Sequence, residues 1–196
     1  KLIYILLITF GLFSFTSDSQ FQNSTGLNFA FSTGEVISYR LHYGFLTAGS
    51  ASIKIDNIKH NVKGKSCYRV DVLGRSIGAF RAILKIDDFW RSYIDEQTLA
   101  PQKSFREIKE GNYYLKEDVF YYPKKLKVLH THKDDTKEVK EYDIMEGMHD
   151  IISGFYRIRN IDWKTKSEGD RVKINAFLED TKYNLEIEYK GKARIR

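Results

Sequence analysis

Between Gly34 and Ile55 the chain reads GEVISYRLHYGFLTAGSASIKI, and its period of two constrains the fold more than any other feature. Ile37, Tyr39, Leu41, Tyr43 and Phe45 occupy alternate positions. Gly49, Ala51, Ile53 and Ile55 continue the phase, and most residues between them are Ser, Arg, His or Lys. Successive side chains of a strand point to opposite faces, so this run buries one face and wets the other. A fold back near Phe45–Thr47 sets the large side chains of the first half against the small Gly49 and Ala51. Two readings stay open: the small residues complete a packed core, or the missing bulk leaves room for a ligand.

The same alternation returns about every ten residues, with charged or Gly-containing turns between, which predicts an antiparallel sheet. Ser66–Leu73 places Tyr68, Val70 and Val72 on one face and Cys67, Arg69 and Asp71 on the other. Ala82–Ile94 is expected as one strand, with Leu84, Ile86, Trp90 and Ile94 on one face and Phe89 and Tyr93 on the other. Asp87 and Asp88 then point opposite ways and form no carboxylate pair. Pro101 breaks the pattern, since proline is poorly tolerated within a central strand. Ser104–Lys109 and Tyr113–Tyr122 read as a hairpin around Glu110-Gly111-Asn112, Leu126–His132 and Lys137–Tyr142 as one around KDDT. Arg171–Glu179 and Tyr183–Tyr189 flank EDTK, with Tyr183, Leu185, Ile187 and Tyr189 inward.

One segment departs from the period of two. In MEGMHDIISGFYRIRN, Met148, Ile151, Ile152, Phe155 and Ile158 or Arg159 recur at helical spacing, with Asp150 and Ser153 off the apolar stripe and Asn160 as terminator. Gly154 costs such a helix about 1 kcal/mol against Ala. Burying four apolar side chains at about 1.5 to 3 kcal/mol each outweighs that loss. The expected fold is therefore mainly β: a curved antiparallel sheet or partly open barrel with one amphipathic helix, about 148–160, packed on it.

The start, KLIYILLITFGLFSF, carries one cation and then the charge-free run Leu2–Phe15. A bilayer-spanning helix needs about 20 apolar residues. The shorter run matches the apolar region of a secretory leader, an uncleaved anchor being the alternative. Residues 1–19 are expected as a signal peptide, 20–28 as a linker and 29–196 as a single β domain. No Cys follows the leader to take a lipoprotein-type lipid. The reading places the mature chain, without a transmembrane span, in the periplasm or at the periplasmic face of the outer membrane. Because the sequence begins with Lys and stops at Arg196 inside a strand-like pattern, the domain is expected to be incomplete at its C-terminus. The net charge of +6 comes with both signs interleaved; only PKKLK and KARIR are dense. This describes solvated strand faces and predicts no nucleic-acid partner.

Few residues offer chemistry. The single Cys67 has nothing nearby to depress its pKa and reads as a small structural side chain. His130 and His132 share a strand face, but a turn at Lys133–Thr136 sets them opposite Val139 and Lys137, which supplies no third ligand; no metal is predicted. His149 and Asp150 are adjacent, hence about 100° apart on a helix, and no nucleophile elbow exists. There is no P-loop, dinucleotide fingerprint, paired CxxC or EF-hand loop. No catalytic residue and no cofactor is assigned. Binding is the stronger class, since an antiparallel sheet lined by aromatics makes an apolar trough without any reactive group. The candidate lining residues are Tyr39, Tyr43, Gly49, Ala51, Trp90, Ile151 and Phe155.

The order of these features resembles the bacterial exported family known as domain of unknown function 3108, as a Bacteroidetes-like, C-terminally truncated member. The segments that carry the resemblance are FSTGEVISYRLHYGFLTAGSASIKI, DDFWRSYIDEQTLAPQKSFREIKEGNYY, HDIISGFYRIRN and GDRVKINAFLEDTKYNLEIEYKGKARI. The resemblance implies an exported, mostly antiparallel β protein of Gram-negative bacteria, with no established activity and no catalytic residues to carry over. It also implies further strands beyond Lys192, without which Tyr183–Tyr189 is an exposed edge. Two functions follow as expectations: carriage of a lipid or other elongated apolar molecule, or a structural or assembly role in the envelope through protein contacts. An enzyme acting on envelope polysaccharide is the third reading; it lacks a carboxylate pair placed by the sequence, although Asp87, Asp88 and Asp95 could converge in the fold.

Overall fold

The computed structural model describes residues 30–43 and 46–193; the expected signal peptide and linker lie outside them. Eight strands pair antiparallel in chain order: β1 (Val36–Tyr43), β2 (Leu46–Val62), β3 (Lys65–Ser76), β4 (Asp87–Asp95), β5 (Pro101–Glu110), β6 (Tyr113–Tyr121), β7 (Lys125–His132) and β8 (Lys137–Asp143). The sheet is curved and does not close. Three flat strand spacings from β3 to β6 would cover about 14 Å, yet Lys63, in the β2–β3 turn, donates to the Tyr121 carbonyl at 2.8 Å and lies over the Tyr122 ring.

Register explains which residues share the inner face. Ile55, Val70, Ser92, Ser104, Val119 and Val128 form one cross-strand row. Over its β2–β4 half lies helix α2 (Ile151–Arg159), whose Ile152 and Tyr156 pack with Phe31, Ile55, Tyr68, Val70, Ile94 and Leu99. Over the β6–β8 half lies a small sheet of β9 (Met148–His149), β10 (Arg171–Leu178) and β11 (Thr181–Glu188), with β9 parallel and β11 antiparallel to β10. Met148 and Phe177 pack there with Val119, Tyr121, Leu126 and Val128. Arg159 ties the end of α2 to the start of β1 through two bonds to Glu35, at 2.6 and 2.8 Å.

Four expectations need correction. Ala82–Ile94 is not one strand: the chain leaves the sheet at Gly78 (φ +57), forms the short helix α1 (Gly78–Ile83), and rejoins it at Ile86, just before β4, leaving Leu84 exposed. The buried Ser76 hydroxyl, accepting from the Ile86 N–H at 3.0 Å, closes the base of that excursion. Met148 is not helical. Asp150 is the N-cap of α2, its carboxylate accepting from the Ser153 N–H while the Ser153 hydroxyl accepts from the Asp150 N–H, and this reciprocal box fixes the first turn. The buried face is consequently Ile152, Ser153, Gly154 and Tyr156, and Ile151 is 43% exposed. The last hairpin turns on two residues, Glu179 and Asp180, both at positive φ, not on four. Tyr183 and Leu185 share a face with the buried Ile174 and Ala176, but α2 lies over β9 and β10, so these two side chains stay exposed rather than inward, while Ile187 and Tyr189 are half-buried.

Candidate functional site

Beyond the part covered by α2, the inner face continues as a row of Tyr39, Ala51, Gly74 and Asp88, paired strand to strand. The next row toward the helix is Ile53, Val72 and Trp90, and Phe155 of α2 packs beside them. All of these are half-buried. The result is an apolar trough with a floor of small residues. A Cβ added to Gly74 would meet nothing within 4 Å, so its missing side chain is not replaced by a neighbour. Gly49 differs: it is buried, and a Cβ there would press on the Arg75 carbonyl at 3.1 Å and meet Leu41 at 3.8 Å. One glycine serves close packing and the other leaves space.

The trough ends in acid. Asp87 turns outward to Arg81, with bonds of 3.0 and 2.7 Å. Asp88 faces inward, accepting from the Lys109 N–H at 3.0 Å. Burial, reinforced by Glu110 and Asp87, pushes its carboxyl up to about 6. Ile86 bridges to Glu110, which sets that acid on the same inner face one row beyond. The carboxylate pair that adjacency denied to Asp87 and Asp88 forms instead across strands.

Between α2 and the small sheet runs a polar seam. Ser92 donates to Asp150 at 2.6 Å, and burial raises the Asp150 carboxyl above the ordinary carboxylate range. Further along, the Ile53–Val72–Trp90 row turns charged: Arg106, Glu117, His130 and Glu138 are successive cross-strand partners. Arg106 grips Glu117 at 2.8 and 3.1 Å and reaches Glu179 at 3.3 Å, while His130 Nε2 lies 2.8 Å from Glu117. Lys140 holds Asp180 at 2.8 Å. The two positive-φ turn residues are thus fastened to the large sheet by charge. A cavity of about 20 Å³, lined by Trp90, Arg106, Glu117, Tyr121, Asp150 and Ile151 among others, lies in this seam. That is the size of one water.

The register also corrects the histidine reading. His130 stands opposite Glu138, not Val139, and Glu117 and Asp180 come with it to within 4.8 Å as potential metal-ligand atoms. Glu117 already accepts from Arg106 on both oxygens, so the cluster acts as a charge network. His149 and Ser153 lie 3.2 Å apart, but Asp150 serves Ser92 and the helix cap instead of orienting the imidazole. Burial, with Arg157 nearby, holds His149 down at about 4, which keeps it neutral. Ser153 is fully buried. This is a cap, not a nucleophile.

A family model described as a protein of unknown function (DUF3108) matches residues 38–196. The chain belongs to that family. No curated protein and no solved structure matches it. Among the described residues, no helix of this DUF3108 protein is long and apolar enough to cross a membrane.

Of the predicted lining residues, Tyr39, Ala51, Trp90 and Phe155 border the trough. Gly49 is closed over by Leu41. Ile151 projects toward the seam cavity, on another side of α2. Tyr43 pairs with Leu46, not with a small residue, because the register slips between Leu41 and His42; its side chain lies outside the described ones. The sequence reading missed Gly74 and Asp88. Gly74 carried a signal, as it extends the Tyr68, Val70, Val72 phase with no side chain.

Proposed function

We propose that this DUF3108 protein is exported and binds an elongated apolar molecule, such as a lipid, along the trough of Tyr39, Ala51, Val72, Gly74, Trp90 and Phe155. The observation that carries this reading is the open space over Gly74 on an otherwise apolar, half-buried face. A sheet that needed only a core would fill that position, since an uncovered glycine in a strand costs stability and packs nothing. The leader-like residues 1–19 support export to the periplasm or the periplasmic face of the outer membrane. The test is native mass spectrometry of the protein produced with its own leader and purified without detergent, together with displacement of a neutral apolar dye. Lipid-sized adducts and saturable displacement are expected. A bare mass and no dye binding would refute the proposal.

The alternative, an envelope assembly role through protein contacts, rests on Tyr183 and Leu185, which are exposed on the outermost described strand of the small sheet. An envelope protein that co-purifies with the wild type and is lost with Tyr183→Lys would favour it.

A further inference from the structure

The proposed trough has a chemically distinct end, and that end restricts what it can hold. Asp88 is the direct cross-strand partner of Gly74, the residue over which space is open, and lies two positions from Trp90 on the same face. Among the described residues its carboxyl accepts from the Lys109 N–H and lies in hydrogen-bond reach of Glu110, which leaves acceptor capacity on the two carboxyl groups. Among the described residues, neither Asp88 nor Glu110 takes part in an ion pair. Two cations of this end are engaged elsewhere, Arg81 with Asp87 and Lys109 with Glu107. The charged groups that act most on Asp88 are Glu110 and Asp87, both acids. Lys85 and Arg75 act on Asp87. Other interior acids have partners: Glu117 is paired with Arg106, Asp180 with Lys140 and Glu35 with Arg159, and Asp150 accepts from Ser92 and the Ser153 N–H. A half-buried Asp88 beside an exposed Glu110, with no ion-pairing cation among the described residues and open space at the end of an apolar trough, is complementary to a positive group.

Resting on the trough reading above, we infer that the ligand is an amphiphile with a primary ammonium head: its chain lies over Ala51, Gly74, Val72 and Trp90, and its head meets Asp88 and Glu110. An ammonium brings three donors and no acceptor, which suits two carboxyl groups that otherwise repel each other. An anionic head would face those acids without a compensating cation.

The test compares three ligands of equal chain length, dodecylamine, dodecanol and laurate, as competitors for a neutral apolar dye on the full chain at pH 7.5. Dodecylamine is expected to bind about tenfold more tightly than dodecanol, the size of a partly screened ion pair, and laurate more weakly than either. Asp88→Asn keeps the acceptor for the Lys109 N–H and should bring the amine and the alcohol to within about twofold. Glu110→Gln should do so in part. Lowering the pH to 5 should shrink the amine preference in the wild type, because burial, reinforced by Glu110 and Asp87, pushes the Asp88 carboxyl up to about 6, and should not change it in Asp88→Asn. Laurate binding as tightly as the amine, or an amine preference that survives Asp88→Asn, would overturn the ammonium head and leave the trough standing. Failure of all three ligands to compete would overturn both.

Discussion

Gly74→Val distinguishes an open trough from a packed interior by the sign of its effect. Gly74 has ordinary strand backbone, with no positive φ to protect, and an added Cβ meets nothing within 4 Å. Replacing glycine at a compatible position restricts the unfolded chain, which contributes about 0.4–1 kcal/mol, and a β-branched residue suits a half-covered sheet face. The variant is therefore expected to gain about 0.5–1 kcal/mol. For a domain of this size, that raises Tm by about 1–4 °C. Urea unfolding followed by circular dichroism reads the change as a higher midpoint with unchanged slope. The same two methyl groups occupy the space assigned to the ligand, so dye affinity should fall by about tenfold. A loss of about 1–3 kcal/mol, the usual consequence of overpacking a filled core, would refute the open-space argument, and so would a stabilised variant that binds dye as well as the wild type.

Glu117→Gln should cost about 3 kcal/mol, because it takes the two-bond carboxylate partner from the buried Arg106 guanidinium and leaves it the exposed Glu179, whereas Arg106→Met combined with Glu117→Leu should lie within about 1–2 kcal/mol of wild type; chemical denaturation of both variants checks the contrast. Gly154→Ala should stabilise by up to about 1 kcal/mol, since the new Cβ meets His149 and Ile174 at the ordinary contact distances of 3.8 and 3.9 Å. Cys67 is fully buried, and desolvation, with Asp95 beside it, pushes its thiol up to about 11. It should stay unmodified by a thiol-specific disulfide reagent at pH 8 in the native protein and react at once in guanidinium.

Much of the sheet was readable because a period of two is dictated by strand geometry. The opening hairpin pairs Tyr39 with Ala51 as the alternation requires, and the Gly111 turn falls where it was expected. The reading failed where a local hydrogen bond outweighed the pattern. Met148 fits a helical stripe, but the Asp150–Ser153 box starts α2 after it and rotates the buried face toward Ser153 and Tyr156. Leu84 and Ile86 extend the alternation of β4, but Gly78 takes a positive φ and the chain loops out. Register was the weakest link. A two-residue turn at Glu179-Asp180 leaves no signature when neither residue is Asn or Gly, and a shift of one position at β7–β8 hid the partnership of His130 and Glu138. The site was half legible for the same reason. Tyr39, Ala51 and Trp90 announce themselves as large or small residues in phase, whereas Asp88 joins Glu110 only once β4 has paired with β5 and Ile86 bridges to Glu110.

The trough is tested most directly by photo-crosslinking the full chain with a dodecylamine that carries a diazirine in its alkyl chain, then mapping the modified peptides. The account predicts saturable labelling of segments containing Tyr39, Val72, Trp90 and Phe155, abolished by excess unmodified dodecylamine and weakened in Gly74→Val. Labelling that is not competed, or that concentrates on the exposed Tyr183 and Leu185, would contradict it.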